Sequence, residues 1–420
     1  MNIDILLGLQ WGDEGKGKIV DAISPGYDAI ARFQGGPNAG HSLVFNNVKH
    51  VLHLIPSGIF HPEKLNIIGN GVVLDPAVFR KEIEKLGLPI EEIVKRLVIS
   101  KKAHLILPGH RILDAAYECS KGLARIGSTL KGIGPAYTDK AGRLGLRAGD
   151  IFRDDFNDLY RKHLELHLNI LKNYDFSFDL KVYEKGWFEG IDMLKRFRLV
   201  NSEYLVNNLV RNNKKLLAEG AQGTMLDIDF GSYPFVTSSS TISAGACTGL
   251  GISPRQIGEI FGIFKAYCTR VGSGPFPTEL NDETGDRMRK TGFEFGATTG
   301  RPRRCGWLDL PALKYSIMIN GVTKLFMTKA DVLSGFKSVR ICISYRVKGI
   351  ETTEIPFEHD AHIEPVYIDL PGWDENISGI RDFRRLPQTL REYIKYIEEQ
   401  TGIPITMVSV GADREETIFR

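Results

Sequence analysis

The chain carries almost no net charge: 54 Lys and Arg against 51 Asp and Glu leave +3 over 420 residues. That is too little to hold a polyanion or a membrane surface, so nucleic acid and membrane are excluded as principal partners and a small molecule is the expected one. The five cysteines (Cys119, Cys247, Cys268, Cys305, Cys342) stand far apart with no C-x-x-C pair. This argues against a zinc site of that type and against a disulfide framework, and reads as reduced thiols. No run approaches 18 apolar residues, so no membrane-spanning helix is expected. The opening MNIDILLGLQW has no basic leader and interrupts its apolar run with Asp4, unlike a signal peptide. A soluble, cytoplasmic protein is expected. No internal repeat or low-complexity tract marks a boundary, and residues 1–420 are read as a single large domain with subsidiary loop and helical regions.

What is present is alternation. Short apolar, β-branched runs recur at 3–8, 65–73, 96–100, 214–220, 324–333, 338–347 and 405–411, many closed by Gly, Asp or Ser as at the carboxyl end of a strand. Amphipathic stretches with helical spacing lie between them at 76–87, 158–174 and 390–402. The pattern predicts an α/β fold, a large, mostly parallel central sheet flanked by helices, with ligands at the carboxyl ends of its strands. The glycine-rich 219–254 is too long for an idle connection and is read as functional loop.

The stretch LGLQWGDEGKGKIVD, residues 7–21, resembles a phosphate loop with one part missing. Gly12, Gly17 and Lys18 stand at P-loop spacing, but Ile19 occupies the place of the magnesium-holding hydroxyl. A strand, a glycine-rich turn and the helix-forming KIVDAIS place the N–H groups of residues 12–18 around one concavity that suits phosphate, and Lys16 and Lys18 add charge. The carboxylate of Asp13 is a hard oxygen ligand that could replace the hydroxyl. It could equally accept a proton from a substrate. A second cluster, QGGPNAGHS at 34–42, sets Asn38, His41 and Ser42 beside glycines that admit a ligand close to the backbone. An imidazole there can donate to developing charge.

FMTKADVL at 326–333 ends an apolar run in Thr-Lys-x-Asp. A carboxylate at Asp331 can accept together from N1 and the exocyclic amine of guanine, a pair adenine does not present, so the expected nucleotide is GTP. VSVGAD at 408–413 could close over the same base. FGATTGRPRRCGWLD at 295–309 carries Arg301, Arg303 and Arg304 beside Thr298, Thr299 and Gly300, suited to bidentate capture of carboxylate or phosphate.

QWGDEGKGK, GGPNAGHS, STLKGIGPAY, EGAQGTMLDID, KAYCTRVGSGPFPTEL, TTGRPRRCGW, TKAD and the terminal SVGAD stand in the order and approximate spacing of the adenylosuccinate synthetase family, which the chain resembles from residue 3 almost to its end. The resemblance implies a GTP- and magnesium-dependent ligase that condenses IMP with L-aspartate to adenylosuccinate, GDP and phosphate, through 6-phosphoryl-IMP. It implies catalytic roles for Asp13, as general base and metal ligand, and for His41, with Lys16 and Gln222 at the same centre. Gly40 would give magnesium its carbonyl. Gly12, Asp13, Glu14, Gly15, Lys16, Gly17, Lys18, Gly40, His41, Ser42 and Arg303 would hold the GTP phosphates, and Lys329, Ala330, Asp331, Ser409, Val410 and Gly411 its guanine. IMP would be held by Asp13, Glu14, Gly15, Lys16, Asn38, Ala39, Gly40, His41, Thr129, Gln222, Thr237 and Arg301, with Arg143 reaching the IMP phosphate of the neighbouring subunit in a homodimer. Ala297, Thr298, Thr299, Gly300, Arg301, Pro302 and Arg303 form the expected aspartate loop. Ser42 replaces the family's usual threonine, Leu130 and Lys131 replace a familiar Gly-Arg or Lys-Lys, and Pro302 interrupts the arginine run.

Two other readings use parts of the same sequence. A GTP-hydrolysing switch protein draws on the first loop, TKAD and DETG at 282–285. A zinc hydrolase draws on HLELH at 163–167, although H-x-E-x-H has the wrong order for H-E-x-x-H.

Overall fold

The computed structural model describes residues 2–45, 48–122, 125–296, 300–358 and 362–420. Its centre is a ten-stranded sheet of β1 (Ile3–Gly8), β2 (Ala29–Arg32), β3 (Leu65–Ile68), β4 (Leu97–Ser100), β5 (Arg198–Val200), β6 (Leu216–Glu219), β7 (Ile257–Lys265), β8 (Lys324–Thr328), β9 (Ile405–Ser409) and β10 (Thr417–Phe419). They lie in the order 10-9-8-7-1-6-2-3-4-5, parallel throughout except for the antiparallel edge strand β10.

The central strand β1 is buried on both faces, as a strand covered by helices on either side must be. Its one polar residue, Asp4, accepts from Tyr27 Oη and from the Glu259 N–H, both at 2.8 Å. Alternation divides the apolar side chains between two packs. Ile67 of β3 and Val98 of β4 join the larger one, while Ile68, Leu97 and Ile99 point the other way into a second.

Most predicted elements form at nearly their expected bounds, with 76–87 and 390–402 becoming helices Pro76–Lys85 and Gln388–Thr401. The run at 338–347 is a strand outside the central sheet, in a separate four-stranded one with Leu308–Asp309, Ile350–Thr352 and Ile363–Pro371. Four strands of the central sheet were not anticipated. β2 is four residues of AIAR in which even Arg32 is buried, so it shows no period-2 signal; β5 and β10 have only three residues each, and β7 reads as a mixed Gly-, Glu- and Lys-containing run.

Four helices position the site: α1 (Lys16–Ile23), α2 (Pro108–Ser120), α3 (Ile133–Gly142) and α4 (Phe156–Leu171). β1 is flanked by β7 on one side and β6 on the other, so the loop leaving β1 opens where the chain departs to both sides. A crevice forms at such a point in a parallel sheet.

Candidate functional site

Loops leaving the carboxyl ends of β1, β2, β6, β8 and β9 converge on a cleft of ≈ 730 Å³ lined by Gly12–Lys18, Asn38–Ser42, Gln222, Thr237, Arg301, Arg303, Lys329, Ser409 and Gly411, among others. Segments almost 400 positions apart meet here because parallel strands all end on the same edge.

The first loop is stiffened from beneath. Glu14 turns its fully buried carboxylate inward, where it accepts from the N–H groups of Gln10 (3.1 Å) and Gly12 (2.9 Å) and pairs with Lys16 Nζ at 2.6 Å. Gly8 makes room for it, since a Cβ there would stand 2.3 Å from the carboxylate. The acid is thereby paired and buried beneath the loop. Lys18 does not hang over the loop either: its Nζ donates to Ser409 Oγ and the carbonyls of Gly411 and Glu416 at 2.8–2.9 Å, tying the phosphate loop to the C-terminal turn. Burial lowers its pKa to about 8. The positive field left for a phosphate is the amino end of α1, entered through Gly15 at φ 90°.

His41 opens the strand His41–Phe45 and packs directly on α1, where a Cβ at Gly17 would lie 2.9 Å from its own Cβ. Its Nδ1 is bonded to Glu219, at the end of β6, and Glu219 also accepts from the Ser57 N–H at 2.8 Å and Ser57 Oγ at 2.6 Å. Three donors, with Arg32 nearby, hold Glu219 below the usual carboxylate range against the effect of its burial. The imidazole hydrogen therefore sits on Nδ1, and Nε2 is buried with no partner among the described residues. Burial, then Arg32 and Lys16, push the ring down to about 4 against the pull of Glu219, so it is neutral at pH 7. Glu219 opens the motif EGAQGTMLDID, but the sequence assigns it no role there and presents it as the end of a strand. Glu219→Gln is expected to lower turnover about 10²-fold by loosening the tautomer and orientation of His41, with the KM for nucleotide changed little. Full turnover in steady-state assays of this variant would rule that positioning out.

Asp13 adopts the left-handed conformation, φ 61°, uncommon for a residue with a side chain. Its Oδ2 accepts from Arg303 Nε at 2.7 Å. Arg303 also pairs with Glu294, which in turn holds fully buried Lys265 at 2.9 Å and the Tyr267 hydroxyl. Lys265 and Arg303 hold Glu294 at about 2 although burial pushes the other way, so an ionised network anchors the arginine that meets Asp13. Glu294 and Lys265 were not anticipated; their pairing depends on contacts that spacing does not encode.

The basic loop doubles back on itself, Gly296 N–H to Arg301 O and Gly300 N–H to Gly296 O, both at 2.8 Å. Ala297, Thr298 and Thr299 lie outside the described residues. Gly300 and Pro302 are exposed, and Arg301 donates to Gly127 O at 3.3 Å. Arg304 faces the other way, bidentate to Glu279 and bonded to Gly272 and Gly274 carbonyls, which makes it structural.

At one end of the cleft, Lys329 (φ 63°) donates to Gly292 O at 2.9 Å. Asp331 follows it with Oδ1 buried and unpartnered among the described residues, and burial raises its pKa despite Lys329 and Lys18. Ala330 is buried behind it, and the Val410 N–H donates to Glu416 O at 3.0 Å. Elsewhere, Asn38 Nδ2 reaches Thr237 Oγ1 at 3.5 Å while its Oδ1, and both amide atoms of Gln222, have no partner among the described residues. Ala39, Gly40, Ser42 and Thr129 line the same cleft. Arg143 does not: it caps α3, exposed and outside the pocket of its own chain.

The two other readings lose their geometry. DETG is a helix cap, Asp282 accepting from the Gly285 N–H at 3.0 Å. In HLELH, Glu165 is exposed and, among the described residues, only His167 meets a carboxylate, that of Asp139.

A glycine-rich turn at the switch point of a parallel sheet, opening on one cleft lined by basic, acidic and amide side chains, is the architecture of a nucleotide-dependent α/β enzyme. The family model described as adenylosuccinate synthetase matches residues 5–418. Adenylosuccinate synthetases of Parabacteroides distasonis and Bacteroides fragilis are 57% and 58% identical over 420 residues, covering 100% of this chain and 99% of each relative. The fully ligated adenylosuccinate synthetase of Plasmodium falciparum matches with TM-score 0.95 at 39% identity over all of both chains. Succinoaminodeoxyadenylate synthetase of cyanophage S-2L shares the fold, with TM-score 0.64 at 20% identity. The chain belongs to the adenylosuccinate synthetase family, the GTP-dependent ligases of purine biosynthesis that join IMP to L-aspartate as adenylosuccinate. Among the described residues no helix is long and apolar enough to cross a membrane.

Proposed function

We propose that the ligation proceeds by phosphoryl activation of IMP, with Asp13 as base and His41 at the leaving oxygen. Asp13 takes the N1 hydrogen of IMP, and the electron pair appears at O6. That oxygen attacks the γ-phosphorus of GTP as the bond to the β,γ-bridging oxygen breaks, giving 6-phosphoryl-IMP and GDP. The bare Nε2 of His41 gains proton affinity and takes up a proton from solvent when an anionic phosphate oxygen arrives beside it, and the protonated ring then donates to the departing β-phosphate oxygen. The amine of aspartate attacks C6, releases phosphate and loses its extra proton to give adenylosuccinate. The observation that carries this reading is the collection of unpartnered buried polar atoms on one cleft, Asn38 Oδ1, His41 Nε2 and the Gln222 amide. Most buried polar groups in proteins are bonded, so three such side chains gathered on one cleft point to a ligand.

The same assignment gives the first loop, Gly12–Lys18, with Gly40, His41 and Ser42 to the GTP phosphates, and Lys329–Asp331 with Ser409–Gly411 to guanine. Asn38, Ala39, Thr129, Gln222, Thr237 and Arg301 hold IMP, and the loop 297–303 holds aspartate. The Asp13 carboxylate, 30% exposed, and the Gly40 carbonyl are hard oxygen donors that suit magnesium. Bound there with the GTP phosphates, the ion would neutralise charge on the transferring group. Arg143, exposed and turned from its own pocket, suits the IMP phosphate of a second copy in a homodimer. Residues 1–420 act as a single domain of that homodimer, in the cytoplasm.

The test is omission. Pure protein with IMP, aspartate, GTP and magnesium is expected to yield a product of the mass of adenylosuccinate, and none when any one is left out. GTP hydrolysis at the full rate without IMP and aspartate would overturn the scheme.

A further inference from the structure

Behind the IMP side of the cleft lies a cluster that this chemistry does not use. Asp139 Oδ2, on α3, meets Nε2 of His110 on α2 at 2.9 Å and Nε2 of His167 on α4 at 2.8 Å. Both rings are buried, with centroids 4.5 Å apart. Two imidazoles and a carboxylate so close have the composition of a metal site, but the ring hydrogens decide against one. The Leu107 N–H donates to His110 Nδ1 at 3.0 Å, so the lone pair is on Nδ1 and the hydrogen of the neutral ring is on Nε2. Burial keeps that ring neutral, pushed down to about 4. His167 Nδ1 packs on Gly109, where a Cβ would stand 2.4 Å away, and has no partner among the described residues, so its hydrogen is on Nε2 as well. Asp139 receives two N–H donors; burial acts to raise its pKa, and the two histidines overcome this and hold it well below the carboxylate range.

Three helices thus meet at one carboxylate, and α3 is the one that runs from the cleft at its amino end to Arg143 at its carboxyl end. Ile133, Gly134, Pro135 and Thr138 of α3 line the cleft. The loop before it is fastened to α2, Ser128 Oγ and the Gly132 N–H donating to Asp114 at 2.7 and 2.9 Å. Arg143 closes its far end at φ 62°. A shift of α3 would carry Thr129 and Arg143 together.

We propose that Asp139 is a positioning residue for IMP: clamped by His110 and His167, it sets α3 so that the Thr129 loop and Arg143 are in place before the nucleotide arrives. This rests on the assignment of Thr129 and Arg143 to IMP made above. Three variants test it by steady-state kinetics. Asp139→Ala removes the acceptor, and His167→Phe keeps the ring volume while removing one donor, so it remains informative should the first fail to fold. Asp139→Asn can still turn its carbonyl oxygen toward both rings. The first two are expected to raise the KM for IMP about tenfold, with the KM for GTP and kcat within about twofold, and Asp139→Asn to restore most of the loss. An unchanged KM for IMP in folded His167→Phe, an equal rise in the KM for GTP, or stoichiometric zinc binding by the wild type that His167→Phe abolishes would each overturn the clamp. Thr129→Ala and Arg143→Leu separate the two failures. Should both leave the KM for IMP unchanged, the assignment falls and the clamp with it; should they raise it while the clamp variants do not, the clamp alone falls.

Discussion

Asp13→Asn is expected to fold, to bind GTP within a few-fold of wild type, and to lose about 10²–10⁴ in turnover. Folding is preserved because asparagine tolerates the left-handed backbone that residue 13 adopts at φ 61° better than almost any other side chain. Arg303 loses one partner but keeps Glu294, so no buried charge is stranded. What disappears is the capacity to take a proton from N1 of the purine, since an amide has no useful basicity at neutral pH. Single-turnover measurement of GDP release in Asp13→Asn checks the prediction directly. Release at the wild-type rate would remove Asp13 from the base role.

Asp331→Asn has the second largest expected effect, on base preference rather than on chemistry. The buried Oδ1 of Asp331 has no partner among the described residues, and a carboxylate so placed matches the N1–H and exocyclic N–H of guanine. Replacing one oxygen by NH₂ sets a donor against a donor and leaves buried groups mismatched, worth a few kcal/mol. The kcat/KM for GTP should fall about 10²-fold or more. Xanthosine triphosphate, which carries a carbonyl where guanine has its amine, should be used better by the variant than by the wild type. Unchanged GTP preference in competition assays would place guanine elsewhere.

The amount of this site that could be read in advance depended on how local each device is. The phosphate turn, the Asn38–Ser42 loop and Thr-Lys-x-Asp are contiguous, and their glycines and caps announce themselves. The elements that orient them are not contiguous. Glu219 is the last residue of an apolar strand and became the holder of His41 only because β6 lies beside β1 and β2 is its other neighbour. Glu294 sits 281 positions from Asp13, close in space through Arg303 alone. The spacing marks Lys18 as a phosphate-loop lysine but says nothing of the bond its amine makes to the C-terminal turn, a contact 391 positions away. HLELH suggested a metal through its spacing, and the ring hydrogens of His110 and His167 supplied a different use.

By itself, the sequence determined the α/β class, many of the strands and the family, because each rests on short-range periodicity or on contiguous residues whose chemistry survives without knowledge of their neighbours. Only the tertiary structure decided which ionisable groups are paired, which are buried bare, and therefore which can act. Protonation state and orientation depend on a side chain's whole surroundings, and those surroundings are assembled from strands that meet at one sheet edge after long separations in the chain.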